Sequence, residues 1–139
     1  MQNPPPGQPA KSSTGLDENV ASLLSYVFGW VSGLIFFLME KDSRLVRFHA
    51  MQSILLNVLI VVVAIVLGIV ISILIFILGQ ISGLLAGIAW LLWVLFELVF
   101  GLAILIVWVM CLINAYGGVM YKLPIIGNYA EQFSAPKTT

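Results

Sequence analysis

ILLNVLIVVVAIVLGIVISILIFIL, residues Ile54–Leu78, runs for twenty-five positions without a charge. As a helix at 1.5 Å per residue it reaches about 37 Å, enough to cross a hydrocarbon core of roughly 30 Å. Its valines and isoleucines would suit a strand in water. In lipid, however, backbone groups are satisfied only inside helices or closed barrels, and barrel strands alternate polar and apolar residues. This run does not alternate, so the reading is a transmembrane helix. Two more runs flank it. Val20–Met39 is uncharged, and Leu84–Ile113 carries one charge, Glu97. Between the first two lies MEKDSRLVRFHAMQS, Met39–Ser53, where the charges crowd together.

The 139 residues are 61% hydrophobic and 9% charged, with a mean hydropathy of +1.11. Soluble domains carry about 25% charged residues, so a water-facing surface cannot be built from this chain. An all-α integral membrane protein follows, with three transmembrane helices at about 20–39, 54–78 and 84–113. The formal net charge is zero, which leaves no basic field to recruit nucleic acid. Cys111 is the single cysteine, which excludes an intrachain disulfide.

Residues 1–15, rich in Pro, Gly and Ser, read as a disordered tail with no removable signal peptide. Residues 16–133 form a single helical membrane domain, and 134–139 a disordered end. Thr14 or Asp17 can cap the first helix. Gly79–Gly83 supplies a hairpin break, Gly117-Gly118 ends the third span, and Pro124 opens a short interfacial element with Ile125, Ile126, Tyr129 and Phe133 as its apolar stripe. Lys41, Arg44, Arg47, Lys122 and Lys137 fall on one side of a three-span chain and Lys11 on the other. The bias of basic residues towards the cytoplasm then sets the N-terminus outside and the C-terminus inside a plasma membrane.

Both flanks, TGLDENVASLLSYVFGWVSGLIFFLMEKDSRLVRFHAMQS (Thr14–Ser53) and NAYGGVMYKLPIIGNYAEQF (Asn114–Phe133), resemble the small uncharacterised prokaryotic membrane proteins grouped with the chloroplast inner-envelope import component. The resemblance implies a helical membrane protein without established enzymatic activity and, by analogy, a part in polypeptide translocation.

Little in the chain suggests catalysis. One histidine and one cysteine cannot make a metal cluster, no nucleophile elbow, HExxH, P-loop or dinucleotide fingerprint occurs, and Ser22 and Ser25 have no histidine at their depth. The expectation is a non-enzyme with no cofactor or metal. Three features remain. Ser22, Ser25, Gly29 and Ser32 recur at spacings of three and four, and Gly29 with Gly33 forms a GxxxG pair: a helix-packing face, used within the chain or in a homo-oligomer. In the charged turn, Asp42 or Ser43 can cap a helix starting at Arg44. Arg44 and Arg47 then share a face at headgroup depth with His49 nearby, as a contact for lipid phosphates or an acidic partner, or simply as interface anchors. The third feature is Glu97, on a stripe with Gly87, Trp90, Val94, Gly101 and Ile104. A carboxyl inside a span points to function by default. Depth makes Ser72, Ser25 and Tyr26 its candidate neighbours, with Glu97 either a neutral acid donating one interhelical hydrogen bond or a carrier of protons or substrate. The sequence thus suggests an accessory or scaffold subunit in polypeptide translocation or membrane-complex assembly, with membrane lipids and protein partners around it. The competing class is a small proton-linked transporter or channel using Glu97.

Overall fold

Gly29 has φ +60° and ψ −133°, a conformation a side chain resists and glycine adopts freely. There the first apolar run divides. In the computed structural model, which describes residues 9–135, it forms two helices of ten residues each, α1 (Glu18–Val27) and α2 (Trp30–Met39). Each is about 15 Å long, half of a hydrocarbon core. The Ser32 hydroxyl straddles the break: it accepts the Phe28 N–H at 3.1 Å and is shared between the carbonyls of Ser25 (3.1 Å) and Gly29 (3.2 Å).

The remaining helices are α3 (Arg44–Ile81), α4 (Gly83–Tyr116) and α5 (Ile126–Ser134). Ser43 caps α3, its Oγ accepting the Val46 N–H at 3.3 Å; a side-chain oxygen there satisfies a donor that helix geometry leaves over. α2 returns antiparallel to the start of α3. A Cβ on Gly29 would lie 3.0 Å from Asn57 Oδ1, one on Gly33 would lie 2.9 Å from the Ala50 carbonyl, and Arg47 reaches the Glu40 carbonyl. α1 runs the other way: Glu18 accepts from Ser43 Oγ at 2.8 Å, and Tyr26 lies beside Gln52. α1 and α2 therefore form a folded-back hairpin whose two ends meet the same end of α3.

This corrects the expected architecture. The run 20–39 forms two ten-residue helices rather than one long one, and among the described residues two helices, α3 and α4, are long and apolar enough to cross a membrane. It also brings together two segments expected on opposite sides. The Ser13 N–H and hydroxyl bond to Glu40, so the described N-terminal segment lies beside the α2–α3 turn rather than across from it. Of the tail expected at 1–15, residues 1–8 lie outside the described residues. The rest is a defined turn, in which Gly15 N–H meets the Ser12 carbonyl and Glu18 N–H the Ala10 carbonyl, both at 2.9 Å. At the other end Ser134 is buried within α5, and 136–139 lie outside the described residues.

The chain divides into two compact units. Leu59–Val107 is one, and the other described residues make up the second. Within Leu59–Val107, α3 and α4 form a hairpin through Ser82, where a Cβ on Gly79 would sit 3.7 Å from that of Ala86. No residue of this unit is buried. Apart from Glu97 and the Gln80 turn the exposed surface is almost wholly apolar, which suits hydrocarbon, since lipid tails are as apolar as leucine. The other unit holds the buried core: Ala21, Tyr26, Val46, Phe48, Ala50, Cys111, Ala115 and Ala130. α5 packs through Ile126, Ala130 and Ser134, four residues apart, and leaves Ile125, Tyr129 and Phe133 exposed.

If Gly29 makes the fold-back, Gly29→Ala forces a Cβ into that conformation and towards Asn57, and stability falls by about 1–3 kcal/mol. Gly68→Ala, where a Cβ meets nothing within 4 Å, stays close to wild type. Thermal unfolding of the detergent-solubilised variants measures the difference.

Candidate functional site

Four segments deliver one buried polar cluster. α1 contributes Tyr26, α3 contributes His49 and Gln52, α4 contributes Cys111, and the chain between α4 and α5 contributes backbone groups. That last segment turns inward because α4 ends at a glycine pair: Gly118 has φ +71°, Gly117 N–H bonds the Ile113 carbonyl and Val119 N–H the Asn114 carbonyl, each at 2.9 Å, the left-handed helix end that glycine favours.

His49 is fully buried. Its Nε2 lies 3.1 Å from the Val119 carbonyl, which can only accept, so Nε2 donates and Nδ1 of the neutral ring accepts the Tyr26 hydroxyl at 3.1 Å. Gln52 Nε2 donates to Tyr26 Oη at 3.1 Å and to the Tyr121 carbonyl at 3.0 Å, with Cys111 Sγ at 4.0 Å. Its Oε1 accepts the Leu123 N–H at 3.3 Å. Alongside, Trp108 Nε1 donates to the Tyr26 carbonyl at 3.1 Å. The chain of donors from Gln52 through Tyr26 to His49 ends on a backbone carbonyl. It binds the segments together.

Beside this latch, Arg47 is buried, with Nη1 2.8 Å from the Glu40 carbonyl and 3.4 Å from that of Phe37, and its guanidinium 4.5 Å from the Phe37 ring centre. It closes the carbonyl end of α2, where the helix dipole favours a cation. Glu40 is also buried. Its carboxylate accepts the N–H and hydroxyl of Ser13 and the N–H groups of Asp42 (3.0 Å) and Ser43 (2.9 Å). Burial pushes this carboxyl up, but the donors from Ser43, Ser13 and Asp42 together outweigh it and hold it below its ordinary value of 4.5. Arg44 faces outward and meets Glu131 at 3.3 Å, which Lys122 also meets at 2.7 Å. The hydrogen bond from Lys122 lowers the Glu131 carboxyl.

The joint grip of Arg44, Arg47 and His49 on a headgroup is therefore corrected. The end of α2 captures Arg47, the latch takes His49, and Arg44 alone remains at the surface. Ser22, Ser25, Ser32 and Gly33 are buried and Gly29 half-buried; Ser53 Oγ donates to the Gly29 carbonyl at 3.0 Å. Glu97 is exposed, as are Gly87, Trp90 and Gly101, while Val94 and Ile104 are half-exposed. Its expected neighbours lie elsewhere: Ser25 Oγ bonds the Ala21 carbonyl and Tyr26 belongs to the latch, because α1 ends in the fold-back and never becomes a third span. Gln52 and Glu40 were missed as site residues. The signal for Gln52 was its spacing of three from His49, one helix face carrying two polar side chains among apolar ones. Among the described residues no group of three or more His, Cys, Asp or Glu could hold a metal ion.

An all-helical chain with long apolar helices and inward-bonded polar groups defines a membrane protein, and comparison with known proteins agrees. The chain belongs to the magnetosome magnetite crystal formation protein family, which it matches over residues 16–130. It is similar to a UPF0132 membrane protein of Methanocaldococcus jannaschii, 39% identical over 124 residues that cover 89% of this chain and 94% of the relative. A second UPF0132 membrane protein of that organism is 35% identical over 119 residues, covering 86% and 71% of the two chains. One from Archaeoglobus fulgidus is 34% identical over 117 residues, covering 84% and 95%. No solved structure matches the chain. The family match takes in nearly all of both flanking strings that resembled the chloroplast import group. That resemblance is corrected, and the translocation analogy loses its basis.

Two outcomes test the site. Tyr26→Phe leaves His49 Nδ1 without a donor and should cost about 1–3 kcal/mol, and Gln52→Leu, which unpairs the Tyr121 carbonyl and the Leu123 N–H as well, should cost more. Both are read by unfolding in mild detergent. For Glu40 the folded value lies below the unfolded one, so its stabilisation is full above the ordinary carboxylate range and is lost as pH falls through the folded value. Melting temperature should drop on acidification through that range, and less steeply in Glu40→Gln.

Proposed function

We propose that this protein is a non-enzymatic scaffold subunit of a membrane complex, crossing the plasma membrane twice through α3 and α4. The observation that carries the reading is the latch. Every polar group of His49 and Gln52 is turned inward to hold α1, α3, α4 and the segment before α5 in one arrangement. Such a core makes a rigid platform and leaves no open constellation for chemistry. The exposed stripe Ile125, Tyr129 and Phe133 on α5 suits an interfacial element at the headgroups.

The family's description concerns magnetite crystal formation. In this chain the acidic side chains that could meet a mineral are engaged within it: Asp17 by Lys11, Glu18 by Ser43, Asp42 by Ser13, Glu40 by its N–H donors and Glu131 by Lys122 and Arg44. That supports organising a membrane assembly over contact with a mineral surface. The proton-linked transporter remains the competing reading, through Glu97 alone. Reconstituted in liposomes under a proton gradient, the wild-type protein should leak no more than empty vesicles. A flux that Glu97→Gln abolishes would replace the scaffold with a transporter.

Orientation follows from charge. Lys11, Lys41, Arg44, Arg47 and Lys122 all belong to the unit where the fold-back meets the start of α3, while the α3–α4 turn carries no charge. Both described ends of the chain are then cytoplasmic. With Cys111 replaced by serine, a cysteine at Gln80 should react with an impermeant thiol reagent outside intact cells, and one at Tyr129 should not. The opposite labelling would invert the topology.

A further inference from the structure

Between Val20 and Met39 the fold-back is inside out for a structure in water. Its four hydroxyl side chains, Ser22, Ser25, Tyr26 and Ser32, are buried, while every exposed residue, from Val27 to Met39, is apolar. Phe28, at the turn, is 77% exposed and Leu38 68%. Charge is confined to the open end of the hairpin: Asp17 and Glu18 stand at the start of α1, and Glu40, Lys41 and Asp42 follow α2. Each arm is about 15 Å long, the depth of one leaflet in a hydrocarbon core of roughly 30 Å. The close approach of Gly29 to Asn57 sets the level of the turn, thirteen residues or about 20 Å along α3 from Arg44. The charged end and the apolar turn are thus as far apart as the headgroups and the middle of a bilayer.

We infer that α1 and α2 form a re-entrant hairpin, embedded in the acyl chains of the leaflet on the side of the α2–α3 turn, with Phe28 near the bilayer mid-plane. The occupant of its outer face is lipid because length, charge and polarity all match one leaflet. A protein partner would need none of the three. α3 has 38 residues, about 57 Å, so length alone would let the bilayer enclose Leu59–Val107 and leave the hairpin in water. The apolar surface decides against that, since a patch so continuous has nothing to cover it there. Tilt or local thickening of the bilayer takes up the excess length of α3. The hairpin goes beyond the scaffold role and rests only on the crossing of a bilayer by α3 and α4.

Thiol labelling in native membranes tests it, in a Cys111→Ser background and from both sides of the membrane. Leu16→Cys and Lys41→Cys should react with an impermeant maleimide from the same side. Phe28→Cys should react about tenfold more slowly or less from either side, although it is the most exposed of the three, because hydrocarbon excludes the reagent and disfavours the thiolate. Phe28→Cys that reacts as fast as Lys41→Cys would put the hairpin in water. Leu16→Cys that reacts from the opposite side would make the run a span. Purified Phe28→Cys carrying a bimane label, reconstituted in phosphatidylcholine, should be quenched more by bromines near the acyl-chain ends than by bromines near the headgroup. Absence of that quenching would give the face to a protein instead and overturn the lipid contact. Carbonate extraction separates the two levels of the reading: release of the wild-type chain would overturn the crossing and the hairpin with it, whereas retention with fast labelling at Phe28 would overturn the hairpin alone.

Discussion

The Gln52 carboxamide is the contact on which the polar-cored unit depends. From α3 it holds α1 through the Tyr26 hydroxyl, lies against α4 at Cys111, and bonds both the Tyr121 carbonyl and the Leu123 N–H of the segment leading to α5. Such a group is not replaceable by an apolar one of similar size, since the Tyr121 carbonyl and the Leu123 N–H would be left unpaired in a buried site and the Tyr26 hydroxyl would lose a donor. The same demand explains the neighbouring residues. Arg47 answers the open carbonyls of α2, Glu40 the open N–H groups of the turn, and Trp108 the last turn of α1. Apolar burial cannot hold helices together in lipid, so satisfied polar groups and close backbone approach do that work.

The long helices were legible because an uncharged run of twenty-five residues has few alternatives, and the start of α3 at Arg44 followed from a cap at Asp42 or Ser43, which the structure gives to Ser43. The break at Gly29 was not legible. Glycine is frequent in membrane helices, where neighbours tolerate it, and nothing in SYVFGWVSG announces a positive φ. Once that break was missed, a span was drawn through α1 and α2, the N-terminal segment was set across from the α2–α3 turn that it adjoins, and Ser25 and Tyr26 were offered to Glu97 as neighbours. The small and hydroxyl-bearing positions stood out by spacing alone, yet spacing does not say which helix they meet. The structure sets Gly33 against Ala50 and Ser53.

His49 and Arg47 show a different limit. Both read as surface groups because charge and titration belong at an interface by default. Each faces inward because a backbone carbonyl required a donor: Val119 for the imidazole, Glu40 for the guanidinium. Those needs arise from tertiary structure, from a helix end and a turn remote in sequence, and local pattern cannot carry them. Family membership fixes the class of membrane protein to which the chain belongs, while the internal bonding explains why a string such as VRFHAMQS is so polar.

The discontinuity of the polar-cored unit in sequence has a consequence for synthesis. His49 and Gln52 leave the ribosome some seventy residues before the Val119, Tyr121 and Leu123 backbone groups they bind. Until then the fold-back and the first turns of α3 carry buried-type polar groups with no permanent partners, in a setting where such groups are costly. Closure of the latch therefore comes late, after the α3–α4 hairpin is complete, and it requires contacts of long sequence separation that form slowly. A nascent or interrupted chain exposes Tyr26, His49 and Gln52 together. The finished protein hides all three, so their accessibility distinguishes a mature copy from one that membrane quality control should remove.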